Sequence, residues 1–336
     1  MITGSGEPSF SFSDNTPFIL KINPDGTLAN DFQQGVLVDT FIQLPIADEV
    51  VQSAIDQQGR VLILSTNRPG LGPQDVIVSR LSSNGTVDTS FGNGGNVFIP
   101  IDDLTSATGS TLPLEVAITS NNQVVIGALR FAVADSSVGV TRLNENGSID
   151  RSFGDDGVFQ TAVVSLTNFD GSTDPVQIRL DSLDRIIVSS EVFPNPILVR
   201  ATADGQLDTS FATNGQLTLV PDPSIADEGV QVEPLFGLFN LSADGLGIDS
   251  NDNILVSSSA GTAAFGPTEF VIFQRVLSSG QLDTSFGTGG SLVVENTEGA
   301  PGGISNLIFD SNNSLVVGGV GSSIDPNGGI ARFLLS

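Results

Sequence analysis

The sequence contains no His, Cys, Trp or Tyr. Without His and Cys it cannot form a Ser-His-Asp triad, a Cys nucleophile, a disulfide or an ordinary zinc, haem or iron–sulfur site. Positive charge is also scarce, because 12 Lys and Arg stand against 38 Asp and Glu and give a formal net charge of −26. This balance predicts no nucleic-acid partner, since phosphate contacts require clustered cations, and no attraction to an anionic membrane surface.

Long apolar runs are missing too. No stretch of about 18 apolar residues is present, so the sequence predicts no membrane insertion. The first ten residues, MITGSGEPSF, have neither a basic nor an apolar region and do not form a signal peptide. Hydrophobic residues still make up 39% of the 336 residues, which is enough for a buried core. The acidic composition, with a single Lys, favours an extracellular or cell-surface protein of a bacterium.

The dominant positive feature is a repeat. The segment NGTVDTSFGNGG at 84–95 recurs in register at 146–157, 204–215 and 279–290, and a degenerate copy, DGTLANDFQQG, occupies 25–35. A basic residue stands five positions before the first conserved glycine of every copy, and another lies in the matching C-terminal segment. These residues are half of all the cations: Lys21, Arg80, Arg142, Arg200, Arg275 and Arg332.

A second unit alternates with the first. It consists of two short apolar segments joined by a polar turn, and it occurs at 51–64, 114–127, 176–188, 246–256 and 306–318. Apolar segments around turn residues predict β-hairpins. Several of the segments are uninterrupted Val, Ile and Leu, which is typical of strands buried on both faces. No window shows a helical period, so almost no helix is expected.

Together the two units give four strands in a period of roughly 60 residues. Four antiparallel strands in each of several repeats predict an all-β fold, a five-bladed β-propeller in one domain spanning 1–336, with 1–17 as an N-terminal extension. The termini would close the ring by sharing a blade. The strand count exceeds five blades by one, so Phe18–Asn23 or Ile330–Leu335 would pack outside or mediate self-association.

The recurring GxLDxSFG motif, at 85–92, 147–154, 205–212 and 280–287, resembles the delta-sixty repeat family of bacterial proteins. The resemblance covers most of the chain, from about residue 18 to the end. It implies a β-propeller and an exported or surface protein, and it brings no established activity. The first copy departs from the motif, since Ala29 replaces the Asp.

Each regular copy pairs a cation with an acid eight residues later. An Arg guanidinium matches a carboxylate in shape, so the pairs predict a salt bridge within each blade that fixes the turn. The alternative is a ring of charges that binds a ligand. The pairs are Arg80 and Asp88, Arg142 and Asp150, Arg200 and Asp208, and Arg275 and Asp283.

The repeated phenylalanines have two interpretations, apolar plugs between blades or platforms that stack on a ligand. The plug is favoured because the residue recurs in every copy. The glycines before the fourth strands are expected at positive φ. These residues are Phe91, Phe153, Phe211 and Phe286, and Gly95, Gly157, Gly215 and Gly290.

Calcium is the one cofactor for which the sequence offers candidates. Asp249, Asn251 and Asn253 match the start of a calcium loop, and Asp310 with Asn312 is similar. The loop glycine and the final bidentate Glu are both missing. The same residues are common in plain turns, which is the competing interpretation.

The longest irregular stretches are 221–241 and 257–268. Insertions in repeat proteins often form binding surfaces. Within the first stretch, Leu235, Phe236, Leu238 and Phe239 form a candidate contact patch for a protein or glycan partner.

No motif in the sequence specifies a reaction. We therefore expect no enzymatic activity, and a non-catalytic structural, adhesive or binding module of the bacterial exterior. The alternative is a carbohydrate-active propeller, either glycosidase-like or lectin-like, because glycoside hydrolysis needs only carboxylates. Its candidate residues are Glu115, Asp181, Glu191 and Glu233.

Overall fold

The structure is a computed structural model of the whole chain. The residues that it describes are 2–5, 17–21, 23, 25, 27–29, 31–32, 36–38, 49–67, 75–99, 110–131, 136–164, 176–192, 195–220, 239–241, 245–262, 270–295, 303–310, 312–320 and 329–333.

Strands make up all the regular structure of these residues, in agreement with the predicted all-β class. There are 23 of them: β1 (Ile2–Ser5), β2 (Pro17–Leu20), β3 (Val36–Val38), β4 (Glu49–Ile55), β5 (Val61–Asn67), β6 (Asp75–Leu81), β7 (Asn96–Ile99), β8 (Ser110–Ile118), β9 (Val124–Phe131), β10 (Ser136–Leu143), β11 (Val158–Val164), β12 (Gln177–Leu180), β13 (Ile186–Val192), β14 (Asn195–Ala201), β15 (Gln216–Thr218), β16 (Phe239–Leu241), β17 (Gly245–Ile248), β18 (Ile254–Thr262), β19 (Phe270–Val276), β20 (Ser291–Glu295), β21 (Gly303–Phe309), β22 (Leu315–Val320) and β23 (Gly329–Phe333).

The strands form six sheets of consecutive strands, and the pairings between them are antiparallel. Sheet I is β1-β2-β3, sheet II is β4-β5-β6-β7, sheet III is β8-β9-β10-β11 and sheet IV is β12-β13-β14-β15. In sheet V the order is β16-β18-β19-β20, with β17 also paired to β18, and sheet VI is β21-β22-β23. The described residues contain no helix that is long and apolar enough to span a membrane.

The chain divides into two compact units, Met1–Ala162 and Val163–Ser336. The first holds sheets I and II and nearly all of sheet III, and the second holds sheets IV to VI. The prediction of one domain over 1–336 stays a prediction.

The predicted blade count of five, with one blade shared by the termini, is not confirmed. The two segments predicted to compete for one place lie in different sheets, β2 in sheet I and β23 in sheet VI. The N-terminal extension also supplies a strand, because β1 pairs with β2 from Ile2↔Leu20 to Ser5↔Pro17. Its sequence, ITGS, carries one large apolar residue, so no hydrophobic pattern marked it as a strand.

Sheets II and III pack face to face in the first unit, and sheets IV and V do so in the second. We call these contacts the first and the second interface. The first buries Leu62 and Phe91 of sheet II against Val124 and Ile126 of sheet III. The second buries Ile187, Leu198 and Phe211 of sheet IV against Leu246, Ile254, Val256 and Val276 of sheet V. Burial of these facing side chains supplies the apolar residues of one face of each sheet.

Candidate functional site

The repeated Arg, Asp and Phe form a compact cluster, which we call the clamp. In sheet II, Arg80 Nε lies 2.8 Å from Asp88 Oδ2, and its guanidinium carbon lies 4.4 Å from the centre of the Phe91 ring. The ring and the cation are both almost completely buried. The same contacts recur at Arg142, Asp150 and Phe153, at Arg200, Asp208 and Phe211, and at Arg275, Asp283 and Phe286.

The acid of each clamp also shapes its own turn. Asp208 Oδ1 accepts hydrogen bonds from the Ser210 backbone N–H at 3.1 Å and from the Ser210 hydroxyl. Burial by itself raises the pKa of the Asp208 carboxyl, but the Ser210 hydrogen bonds and the Arg200 charge outweigh it and lower the pKa below its ordinary value of 3.8. The aspartate is therefore ionised and paired at neutral pH.

The clamp also extends beyond its own sheet. Arg80 Nη1 donates to the backbone carbonyl of Glu145 in the turn of sheet III, and Arg200 Nη1 donates to the carbonyl of Ser278 in sheet V. Lys21 makes the same contact from the degenerate copy, since its Nζ lies 3.5 Å from the Ser83 carbonyl. The sequence indicated the bridge within a repeat but gave no sign of this bond to the next repeat.

Glycines allow the turns of neighbouring sheets to approach closely. A Cβ on Gly147 of sheet III would lie 2.8 Å from the Gly92 nitrogen of sheet II, so no side chain fits there. The positive φ predicted for the glycines before the fourth strands is confirmed: the angles are 98° at Gly95, 102° at Gly157, 85° at Gly215 and 95° at Gly290.

The candidate calcium residues lie at hairpin tips between the first and second strands. Asp249 Oδ1 accepts the backbone N–H groups of Asn251 and Asn253, both at 2.8 Å, and Asp249 Oδ2 accepts the Asn253 side-chain amide at 3.0 Å. Asp310 Oδ1 likewise accepts the Asn312 N–H at 2.9 Å. Among the described residues no group of three or more acidic side chains is arranged to hold a metal ion. Calcium binding stays a prediction.

The same hairpin tips are linked from sheet to sheet, which the sequence did not indicate. Asp252 adopts a φ of 60°, and its carboxylate accepts the Ser182 backbone N–H at 2.8 Å and the Ser182 hydroxyl at 2.7 Å. Asn122 occupies the same turn position in sheet III and accepts the Gln57 N–H at 3.3 Å. We call this contact the tip link. In the sequence the tip link is marked by an Asn or Asp as the fourth residue of the hairpin turn, counted from Thr119 in sheet III and from Asp249 in sheet V.

A polar pair lies on the first strands of sheets II and III. Gln52 Nε2 donates to Glu115 Oε1 at 2.8 Å, and Gln52 Oε1 accepts the Val116 backbone N–H at 2.6 Å. The pairing register shifts at both side chains, between Val50 and Gln52 and between Pro113 and Glu115. Such bulges redirect a side chain. Glu115 is only 5% exposed, and the hydrogen bond from Gln52 orients its carboxylate.

The other residues proposed for sugar chemistry do not join Glu115. Asp181 caps its own hairpin, because its Oδ2 accepts Arg185 Nε at 2.6 Å. Glu191 lies in β13, where its side chain is outside the described part, and Glu233 is outside it altogether. The candidate contact patch also lies outside the described residues. Leu235, Phe236 and Leu238 are not described, and for Phe239 the structure gives only its place in β16.

Comparison with protein families gives one match. Residues 59–91, 119–153 and 184–211 match the family described as "Domain of unknown function (DUF5122) beta-propeller". Each matched segment runs from a hairpin tip to the clamp phenylalanine. The match supports a bacterial β-propeller family, while the delta-sixty repeat family itself is not shown. No curated protein matches the chain in sequence.

Solved structures with similar strand arrangements are distant in sequence. A protein of unknown function from Bacteroides caccae is 12% identical, with a TM-score of 0.46, over 82% of this chain and 72% of its own. An exo-1,5-alpha-L-arabinanase from a bovine ruminal metagenomic library is 12% identical, with a TM-score of 0.42, over 84% and 92%. An alpha-L-arabinanase from Cellvibrio cellulosa is 12% identical, with a TM-score of 0.39, over 84% and 90%.

These neighbours correct two predictions made from the sequence. The non-catalytic structural, adhesive or binding module and the absence of enzymatic activity were both inferred from the lack of a catalytic motif. Two of these three neighbours are named as arabinanases, and glycoside hydrolysis in general needs carboxylates and neither His nor Cys. Both predictions are therefore given up. At this level of similarity the neighbours' substrates are not carried over to this chain.

Proposed function

We propose that the chain is a carbohydrate-active β-propeller protein and that Glu115 contacts the sugar. The single observation that supports this is the Gln52–Glu115 pair, in which a carboxylate on a bulged first strand is oriented by an amide at 2.8 Å. A largely desolvated, oriented carboxyl group is the kind of group that, as a carboxylate, accepts a hydrogen bond from a sugar hydroxyl or, as a carboxylic acid, donates its proton to a glycosidic oxygen.

The remaining composition is compatible with this chemistry. Neutral sugars require hydrogen-bonding groups instead of positive charge, and the chain is rich in neutral polar residues while it has 12 cations. Four of those cations, Arg80, Arg142, Arg200 and Arg275, are held in the clamps. Glu115 belongs to no clamp; it stands at the strand position that Gln52 and Gln177 occupy in sheets II and IV, where each Gln accepts a backbone N–H of the following sheet, and it places an acid at that position.

The test is a panel of arabinan, galactan and other plant and bacterial polysaccharides, assayed for release of reducing sugar and for binding. We expect activity on at least one member and a loss of about 10²–10⁴-fold in kcat for Glu115→Gln. This variant keeps the oxygen that accepts the Gln52 amide, so thermal melting should be unchanged. Glu145→Gln is the matched control, since Glu145 is exposed and lies on a turn.

The outcomes separate three possibilities. Hydrolysis that disappears with Glu115→Gln supports a glycosidase, and binding without hydrolysis that weakens in the same variant supports a lectin-like protein. A folded chain that neither binds nor cleaves any glycan would contradict the proposal. Equal loss in the Glu145 control would contradict the assignment to Glu115.

The finer architecture belongs to this proposal. We propose six blades, one for each sheet, in place of the predicted five. The family match supports a β-propeller, and the separation of sheets I and VI supports the count of six. A bacterial extracellular location, weak calcium binding at Asp249 and Asp310, and self-association through a terminal strand remain proposals. Secretion assays, melting with calcium or a chelator, and analytical ultracentrifugation test them in turn.

A further inference from the structure

The second interface contains buried polar atoms without partners. Gln274 of β19 is completely buried, and neither its Nε2 nor its Oε1 has a hydrogen-bond partner. The hydroxyls of Ser189, Ser258 and Ser291 are buried and unpartnered as well. Buried polar groups are normally satisfied, so such a group in a native fold indicates a partner that the protein chain does not itself supply.

The four side chains lie on the faces that meet at this interface. Gln274 is directly opposite Ser291 across β19 and β20, and opposite Val256 of the interface core. Ser258 follows Val256 by two residues and is therefore on the same face. Ser189 faces them from sheet IV, because it follows Ile187 of the core by two residues and is opposite Leu198.

The positions of Gln274 and Ser291 are satisfied or apolar in sheets II and III, whereas buried hydroxyls without partners recur at the other two positions, in Ser65, Ser190 and Ser257. Counted from the clamp arginine, the equivalents of Gln274 include Ser79 and Thr141. Ser79 donates to Asn96, the equivalent of Ser291, at 2.6 Å, and Thr141 donates to the Gly157 carbonyl at 2.8 Å. The repeat thus has ways to satisfy these positions within the chain, and sheet V uses neither of them.

The chemistry of the orphaned atoms limits what can fill the gap. Nε2 is only a donor and Oε1 is only an acceptor, and exchanging them by rotation leaves one of each unpaired. A cation would satisfy the acceptor alone, and an anion would satisfy the donor alone. The surrounding hydroxyls carry no charge to favour either ion. Water donates and accepts, is small enough for a closed interface, and is the usual ligand of such groups.

We propose that the second interface encloses ordered water molecules bound by Gln274, Ser291, Ser258 and Ser189. The first interface has apolar or internally bonded residues at the four matching positions, Leu64, Ala128, Thr141 and Val158, so no water is expected there.

A high-resolution crystal structure of the full chain tests the proposal directly. We expect solvent density within about 2.7–3.2 Å of both amide atoms of Gln274. It would be overturned if the carboxamide bonded only to protein groups, if the space held no density, or if the density had the oxygen-only coordination of a metal ion.

Solution NMR provides an independent measurement. The Gln274 side-chain amide protons should show magnetisation transfer to long-lived water. The double substitution Gln274→Val and Ser291→Val, which introduces the residues found at the same positions as Val199 and Val158, should abolish transfer at this interface while the fold is kept. Thr141→Val in the first interface is the control and has no such signal to lose. Absence of the signal in the unmodified protein contradicts the proposal even if the double variant does not fold.

Discussion

The first and the second interface share a frame but differ in their interiors. Both are held by a buried clamp, by a bond from the clamp arginine to the next turn, and by a tip link. Between these fixed points, Leu64 and Ala128 of the first interface correspond to Ser189 and Ser258 of the second. The difference shows that the repeat motif specifies the ends of the sheet contact and leaves the middle free to vary.

The largest expected effect tests the shared frame. Arg80→Ala and Arg200→Ala each remove a salt bridge, a contact with a Phe ring and a bond to the next sheet, and each leaves an acid without its partner. We expect each to lower the free energy of unfolding by about 3–5 kcal/mol, measured by urea denaturation. A loss that is large in one interface and negligible in the other would show that the clamps are not equivalent.

Acidification should weaken both interfaces together. The pKa values of Asp88 and Asp208 are lowered in the fold, because hydrogen bonds from Ser90 and Ser210 and the paired arginines outweigh the opposing effect of burial. A lowered pKa gives stability that is complete above the ordinary value of 3.8 and is lost as pH falls through the folded value. The free energy of unfolding should therefore decrease below about pH 4. In Asp208→Asn the free energy of unfolding should depend less steeply on pH. An unchanged pH dependence would argue against a role for the Arg200–Asp208 pair.

Exchanging one residue between the interiors sharpens the comparison. Ala128→Ser places a hydroxyl in the first interface, and it should cost about 1–3 kcal/mol. The reverse change, Ser258→Ala, should alter stability by less than about 1 kcal/mol, because it removes a hydroxyl that is already hydrated. Chemical denaturation of both variants measures the asymmetry. Equal and opposite effects would indicate that hydration does not distinguish the interiors.

The smallest expected effect concerns the tip links. Asp252→Gly keeps the positive φ but loses both bonds to Ser182, whereas Asn122→Gly loses one longer bond to Gln57. At these partly exposed positions we expect a loss below about 1 kcal/mol for Asp252→Gly and less for Asn122→Gly. Asp252→Ala should be worse than Asp252→Gly, because alanine is strained at a φ of 60°. Thermal melts of the three variants should therefore show the smallest loss for Asn122→Gly and the largest for Asp252→Ala. The opposite ranking would contradict the role given to the tip links.

The sequence predicted the parts of the fold that repeat. Arg80, Asp88 and Phe91 recur at constant spacing, so their common environment could be inferred before their contacts were known. The number of sheets could not be inferred in this way, because β1 has no apolar pattern and is recognised only by its pairing with β2.

The candidate site was harder to predict for a physical reason. Glu115 was among four carboxylates that no spacing distinguished, and its orientation depends on a bulge and on Gln52, which is distant in the sequence. The sequence also does not show that Gln274 lacks a partner, because Ser79 and Thr141 at the same repeat position are polar as well and do form hydrogen bonds. Only packing shows which of these polar groups lacks a partner.

The bond from a clamp to the following turn gives the repeat a direction. Lys21, Arg80 and Arg200 each supply a side-chain donor forward, and each following turn supplies a main-chain oxygen, at Ser83, Glu145 and Ser278. Each of these three copies therefore supplies a side-chain donor to the turn that follows it, and the acceptor is a main-chain oxygen that does not depend on which side chain stands there. A further copy inserted by gene duplication would find an acceptor for this one bond at each junction, whatever side chains surround it.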